Sequence, residues 1–265
     1  MPAAKAKALI EFVGNSITSG SVTTNGNISA FPWLVGETLG ADRTAISYPG
    51  ICLVGNGHYS GNGFPGIGQE IQYFKMVTPP ITPTTTQPNA PDWDFSKYTP
   101  DMVVINLGTN DALAGGISGT TVQASYINLM KKIRAKLPKT RIFAVRTFGG
   151  YNESQTKAAV DALWNGGDKR VYYVNTTGWL ATSDYASDKL HPTDAGQIKA
   201  AAKLSEVLKP YMDSLLADVE IRSAPKAPSS PMRFTPRLKL PVKPNGRNLT
   251  FREFHAMLGN LSSTR

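Results

Sequence analysis

The run Asp101-Met102-Val103-Val104-Ile105-Asn106-Leu107 is apolar, rich in β-branched residues and stops at Gly108, which reads as a central β-strand. A helical pattern follows it over residues 121–137. Val122, Tyr126, Leu129, Met130, Ile133 and Leu137 recur at helical spacing, Lys131, Lys132, Arg134 and Lys136 lie between them, and Pro138 closes the segment. Leu9-Ile10-Glu11-Phe12-Val13 before Gly14 repeats the strand pattern, and residues 43–48, 141–145 and 170–174 read as further strands. Residues 153–164 read as a helix, and Thr193 or Asp194 is placed to cap a last helix running to about 217. Strands alternating with helices predict a three-layer α/β domain around a mainly parallel sheet. In such sheets the ligand site lies beyond the carboxyl ends of the strands. Ser16, Gly50 and Asn110 each follow a predicted strand, and His191 lies beyond the last one.

Those positions carry a coherent chemistry. A serine hydroxyl is a weak nucleophile at neutral pH and needs a base whose tautomer is fixed by a third group. Ser16 stands in Gly14-Asn15-Ser16-Ile17-Thr18, and Asp188-Lys189-Leu190-His191-Pro192 offers the base with a carboxylate three residues before it. A turn at that spacing lets Asp188 reach one imidazole nitrogen while the other faces Ser16. Attack on a carbonyl also needs donors where negative charge develops. The Ser16 and Gly50 N–H groups and the Asn110 side-chain amide supply three candidates. Asp111 reads as structural, a cap for the helix after Asn110.

The blocks Gly14-Asn15-Ser16-Ile17-Thr18, Gly108-Thr109-Asn110-Asp111 and Asp188-Lys189-Leu190-His191-Pro192, in that order, resemble those of the SGNH/GDSL hydrolase superfamily; Ser47-Tyr48-Pro49-Gly50 is a looser match to the remaining block. The resemblance covers roughly residues 8–217 and implies a flavodoxin-like fold. It implies Ser16 as nucleophile, His191 and Asp188 as base and orienting acid, and an oxyanion hole of Ser16, Gly50 and Asn110. No cofactor is implied. Asn15 stands where the family usually has aspartate; an amide keeps the oxygen acceptor while losing the charge. Tyr48-Pro49-Gly50-Ile51 and the His191 block look like those of the acetyl xylan esterase branches, which implies deacetylation of a carbohydrate. A lipid or general short-chain esterase, and a noncatalytic carbohydrate-binding module of the same fold, stand as alternatives.

The remaining features bound this reading. Residues 222–265 hold nine Lys or Arg against one acid, and residues 1–221 hold nineteen against eighteen, so the net charges are +8 and +1. A nearly neutral body argues against a nucleic-acid-binding face, and no specific nucleic-acid partner is expected. The sequence divides into a hydrolase-like domain, 1–221, and a basic extension, 222–265. Six prolines between 225 and 244 leave the extension as a linker or a segment packed on the domain. Glycine-rich residues 55–68 contain His58 and Tyr59, and the proline- and threonine-rich stretch 78–100 contains Trp93. These three, with Trp179 ahead of the His191 block, are candidate substrate contacts. Cys52 is the single cysteine, which excludes an internal disulfide, and its apolar neighbours mark a buried structural thiol. Three scattered histidines give no metal-ligand spacing, and no metal is expected. No stretch approaches the twenty apolar residues of a membrane span. The basic start carries no long apolar segment. A cleaved secretion signal would leave the same start, so a secreted and a cytoplasmic protein both remain open. The five N-x-S/T sequons permit glycosylation without showing it. Oligomeric state is not legible in the sequence.

Overall fold

The computed structural model describes residues 8–55, 68–76 and 90–223. Five strands, β1 (Leu9–Gly14), β2 (Asp42–Ser47), β3 (Met102–Asn106), β4 (Arg141–Val145) and β5 (Val171–Val174), form one parallel sheet in the order β2-β1-β3-β4-β5. This is the doubly wound order in which the chain first builds outward on one side of β1 and then on the other. The helices are α1 (Ser16–Ser19), α2 (Phe31–Leu39), α3 (Gln69–Gln72), α4 (Thr109–Ala114), α5 (Gly119–Lys136), α6 (Glu153–Asn165) and α7 (Asp194–Ser223).

Alternation along the strands divides the core into two layers. Val13, Val103, Ile105, Ile142 and Ala144 face Tyr126, Leu129, Met130 and Ile133 of α5, along with Ala159 and Leu163 of α6. Ile10, Phe12, Met102, Val104 and Phe143 face the opposite way, against Phe31 and Val35 of α2 and Leu204, Leu208 and Met212 of α7. Three layers result, with β1 and β3 buried on both faces. Glu11 breaks the apolar alternation. It is fully buried, and burial pushes its carboxyl above the usual range, partly opposed by hydroxyl donation from Tyr73 at 2.5 Å, Tyr98, and Thr44 at 3.3 Å.

The predicted strands and the two middle helices stand within two residues of their expected limits. The last helix runs six residues past the expected end, to Ser223, and incorporates Pro210. Pro225 follows in the sequence, and the residue before a proline is disfavoured in a helix. Thr193 rather than Asp194 caps α7, its hydroxyl accepting the Gly196 N–H at 3.4 Å. Helix α2 was not expected, since Gly36 lies in its middle and no side chain caps its start; Pro32 falls in the first turn, where proline is tolerated. No helix among the described residues is long and apolar enough to cross a membrane.

Candidate active site

The sharp turn after β1 starts with Asn15. Its Oδ1 accepts the Ile17 N–H at 3.1 Å, capping α1 and fixing Ser16 at the first helical position. The oxygen acceptor expected of Asn15 is thus used, while its buried Nδ2 has no partner among the described residues. Ser16 is 8% exposed.

The second arm comes from the loop before α7. Asp188 Oδ1 accepts the N–H groups of Leu190 at 2.9 Å and His191 at 3.0 Å, and the turn passes through Lys189 in the left-handed region at φ 57°. The other carboxylate oxygen lies 2.6 Å from His191 Nδ1. His191 Nε2 lies 2.8 Å from Ser16 Oγ, across 175 residues of sequence. Asp188, His191 and Ser16 therefore form one continuous chain of hydrogen bonds. Partial burial would raise the Asp188 carboxyl, but the two N–H donors and the imidazole outweigh it and hold it at about 2.

Two tethers join these arms, and a further bond closes the loop before α7 on itself. Gln197 on α7 is 1% exposed; its Oε1 accepts the Phe31 N–H at 2.8 Å and its Nε2 donates to Ile17 O at 3.0 Å. Asp194 accepts the Thr24 N–H at 3.0 Å and the Thr24 hydroxyl. Thr193 N–H donates to Asp184 O at 2.9 Å, closing the base loop on itself. The sequence reading missed Gln197 and the Asp194–Thr24 pair, because each contact spans about 170 residues and leaves no local pattern.

The third arm follows β3. Asn110 is 2% exposed and donates one Nδ2 hydrogen to Ile51 O at 2.8 Å, leaving its second hydrogen uncommitted by that bond. Asp111 does not cap the following helix. It lies within α4, and its carboxylate accepts the N–H groups of Leu53 and Val54, each at 2.9 Å. Burial raises this carboxyl above the usual range, with the two backbone donors opposing. Gly50 occupies a turn closed by Ile51 N–H to Tyr48 O at 3.2 Å, with φ 84° after Pro49. Proline followed by a positive-φ glycine is the type II signature, so glycine is required there for conformation. Cys52 next to it is buried, and burial, with the Asp111 carboxylate adding to it, pushes the thiol up to about 12.

The candidate substrate contacts separate. The Trp93 ring packs 5.8 Å from Tyr98 while its backbone N–H donates to Phe74 O, and the residue borders a cavity of about 260 Å³ with Tyr48, Tyr73 and Tyr98 beside β2. Trp179 packs against Phe148 at 6.5 Å, on the α7 side of the sheet. No hydrogen bond joins either side chain to Ser16 or His191 among the described residues. His58, Tyr59 and the extension beyond Ser223 lie outside the described residues. Among the described residues no three His, Cys, Asp or Glu side chains cluster in a metal-binding arrangement.

Residues 12–198 match the model of the GDSL-like lipase/acylhydrolase family. The cellulase/esterase CelE of Acetivibrio thermocellus is 28% identical over 218 residues, covering 76% of this chain and 25% of that protein. An acetylxylan esterase / glucomannan deacetylase of Cellvibrio japonicus is 27% identical over 126 residues, covering 47% of this chain and 34% of that protein. A solved family two carbohydrate esterase from Clostridium thermocellum, in complex with cellohexaose, superposes with a TM-score of 0.65 at 27% identity, over 79% of this chain and 66% of that one. The chain thus spans between a quarter and about a third of the curated relatives it matches. The parallel sheet is that of these neighbours, and the family match encloses all three arms of the site: the chain belongs to the GDSL-like lipase/acylhydrolase (SGNH) family.

Proposed function

We propose that the protein is a serine esterase that removes acetyl groups from a carbohydrate by way of an acyl-enzyme. The observation that carries this reading is the chain Asp188 Oδ2–His191 Nδ1 at 2.6 Å and His191 Nε2–Ser16 Oγ at 2.8 Å. In the first half-reaction Ser16 Oγ attacks the ester carbonyl as its proton passes to His191 Nε2. Collapse of the tetrahedral intermediate breaks the bond to the alcohol, which takes that proton, and leaves the acyl group on Ser16. Water then attacks the acyl-enzyme, His191 takes its proton and returns it to Ser16 Oγ as the acid departs. Asp188, ionised down to about pH 2, orients the imidazole and stabilises its protonated form. The Ser16 N–H at the start of α1, the Gly50 N–H on its turn and the second Asn110 amide hydrogen are the donors assigned to the oxyanion. The saccharide substrate is supported by the relatives, one named a cellulase/esterase, one an acetylxylan esterase / glucomannan deacetylase, and one a family two carbohydrate esterase solved with cellohexaose.

The test is the initial rate of hydrolysis of matched acetyl, butyryl and octanoyl esters and of an acetylated xylooligosaccharide, by the wild type and Ser16→Ala. Acetyl release from the oligosaccharide that exceeds the other rates and disappears in Ser16→Ala is the expected result. A rate that rises with acyl length moves the assignment to a lipid or general esterase. Turnover that persists in Ser16→Ala removes the mechanism.

A further inference from the structure

Asn152 is one of two non-glycine residues with positive φ among the described residues, at 53°; the other is Lys189 in the base loop. Left-handed backbone is costly for an L-residue, and asparagine tolerates it better than most. Asn152 stands at the N-cap of α6, where its side chain would normally accept a helix N–H, but it makes no capping bond. Its Nδ2 instead donates at 2.8 Å to Gly108 O, 44 residues earlier. The backbone of Asn152 is held separately, its carbonyl accepting both the N–H and the hydroxyl of Thr156 at 3.0 and 2.9 Å.

Gly108 is the residue from which α4 and Asn110 start. Its φ is 103°, and the same carbonyl that receives Asn152 also receives the Ala112 N–H at 3.2 Å. A β-carbon at position 108 would lie 3.4 Å from that of Asn152, so the two loops are in direct contact. On its other flank the Asn110 arm is fastened to the loop after β2 through Ile51 O, Leu53 N and Val54 N. Asn152 supplies the opposing tether, from the loop after β4. Two tethers from opposite sides fix the first turn of α4 in the direction that decides where the second Asn110 hydrogen points.

We infer that Asn152 is a positioning residue that holds the Gly108–Asn110 arm, and with it the Asn110 amide, in register with Ser16. The inference rests on the esterase reading for its kinetic consequence and on geometry alone for the placement of Asn110. An oxyanion donor displaced by a fraction of an ångström loses transition-state stabilisation with little change in ground-state binding.

Asn152→Gly removes the amide donor while leaving the left-handed backbone unstrained, and Asn152→Asp turns an oxygen toward the Gly108 carbonyl. With acetyl ester as substrate, kcat is expected to fall about five- to tenfold in Asn152→Gly, the loss of roughly one hydrogen bond, and further in Asn152→Asp, with KM within about twofold. The side-chain amide resonances of Asn110, assigned by their loss in Asn110→Ala, are expected to shift in folded Asn152→Gly. An unshifted Asn110 amide, or a raised KM with unchanged kcat, overturns the inference. If the wild type turns over no ester, the esterase reading falls while the Asn110 resonance still decides the positioning.

Discussion

Gln197 offers the sharpest quantitative test of how the site is assembled. Replacing it with methionine keeps the length and most of the volume of the side chain but removes both of its hydrogen bonds. The Phe31 N–H then loses its acceptor at a residue 1% exposed, and an unsatisfied buried donor costs about 1–3 kcal/mol. Ile17 O fares better, because it also receives the Gly20 N–H at 3.4 Å, so its loss is nearer the net value of one bond, about 0.5–1.5 kcal/mol. The sum is about 1.5–4.5 kcal/mol. For a domain of this size that corresponds to a fall in Tm of about 6–12 °C at the middle of the range. Urea unfolding followed by circular dichroism compares wild type, Gln197→Met and Gln197→Ala. Methionine is expected to cost nearly as much as alanine, because the loss lies in polar pairing rather than volume. A Gln197→Met protein within about 0.5 kcal/mol of wild type would refute the argument that this amide ties the Ser16 turn to α7.

Two further outcomes follow from the electrostatics. Asp188 has a folded pKa of about 2, depressed below the ordinary value, so its stabilising contribution is present above the unfolded pKa near 4 and is lost as pH falls toward 2. It therefore stays ionised across the working range and should add no second proton to the acid limb of kcat/KM above about pH 4; a limb of slope two there contradicts the assignment. Cys52, with its thiol at about 12 and its side chain buried, should resist a thiol reagent at pH 8 in the native protein and react once in urea; rapid native labelling would show the loop beside Gly50 to be open.

What could be read from the sequence was what local pattern encodes. β1 and β3 announce themselves because both faces are buried and the glycine that ends each is required by the turn beyond it. The juxtaposition of Ser16, Asp188 and His191 was legible for a related reason: each sits in a short block with its own turn chemistry. Helix α2 was not legible, because Gly36 lowers its intrinsic propensity, no side chain caps its start, and its first N–H is satisfied by Gln197 from the far end of the chain. Asp111 was read as a local cap and proved to be a long-range acceptor for Leu53 and Val54, and Asp194, one of two candidate caps, accepts from Thr24 while Thr193 caps the helix. A carboxylate near a helix start looks the same in sequence whichever partner it takes.

The fastening of the loop after β2 has a consequence for how such a protein can diversify. Residues 51–54 are stitched to α4 by Asn110 and Asp111, and the returning chain is stitched to them in turn, with Gln69 N–H on Cys52 O at 2.8 Å, Glu70 N–H on Leu53 O at 3.1 Å and Gly55 N–H on Glu70 Oε1 at 2.8 Å. The excursion between positions 55 and 68 thus leaves and re-enters through a closed collar. The entropy of closing a loop grows only slowly with its length, so the segment hung from that collar can be lengthened, shortened or replaced at small thermodynamic cost. Gly50, on the near side of the collar, would keep its place. A change of length between those two anchor points therefore leaves Gly50, Asn110 and Asp111 where they are.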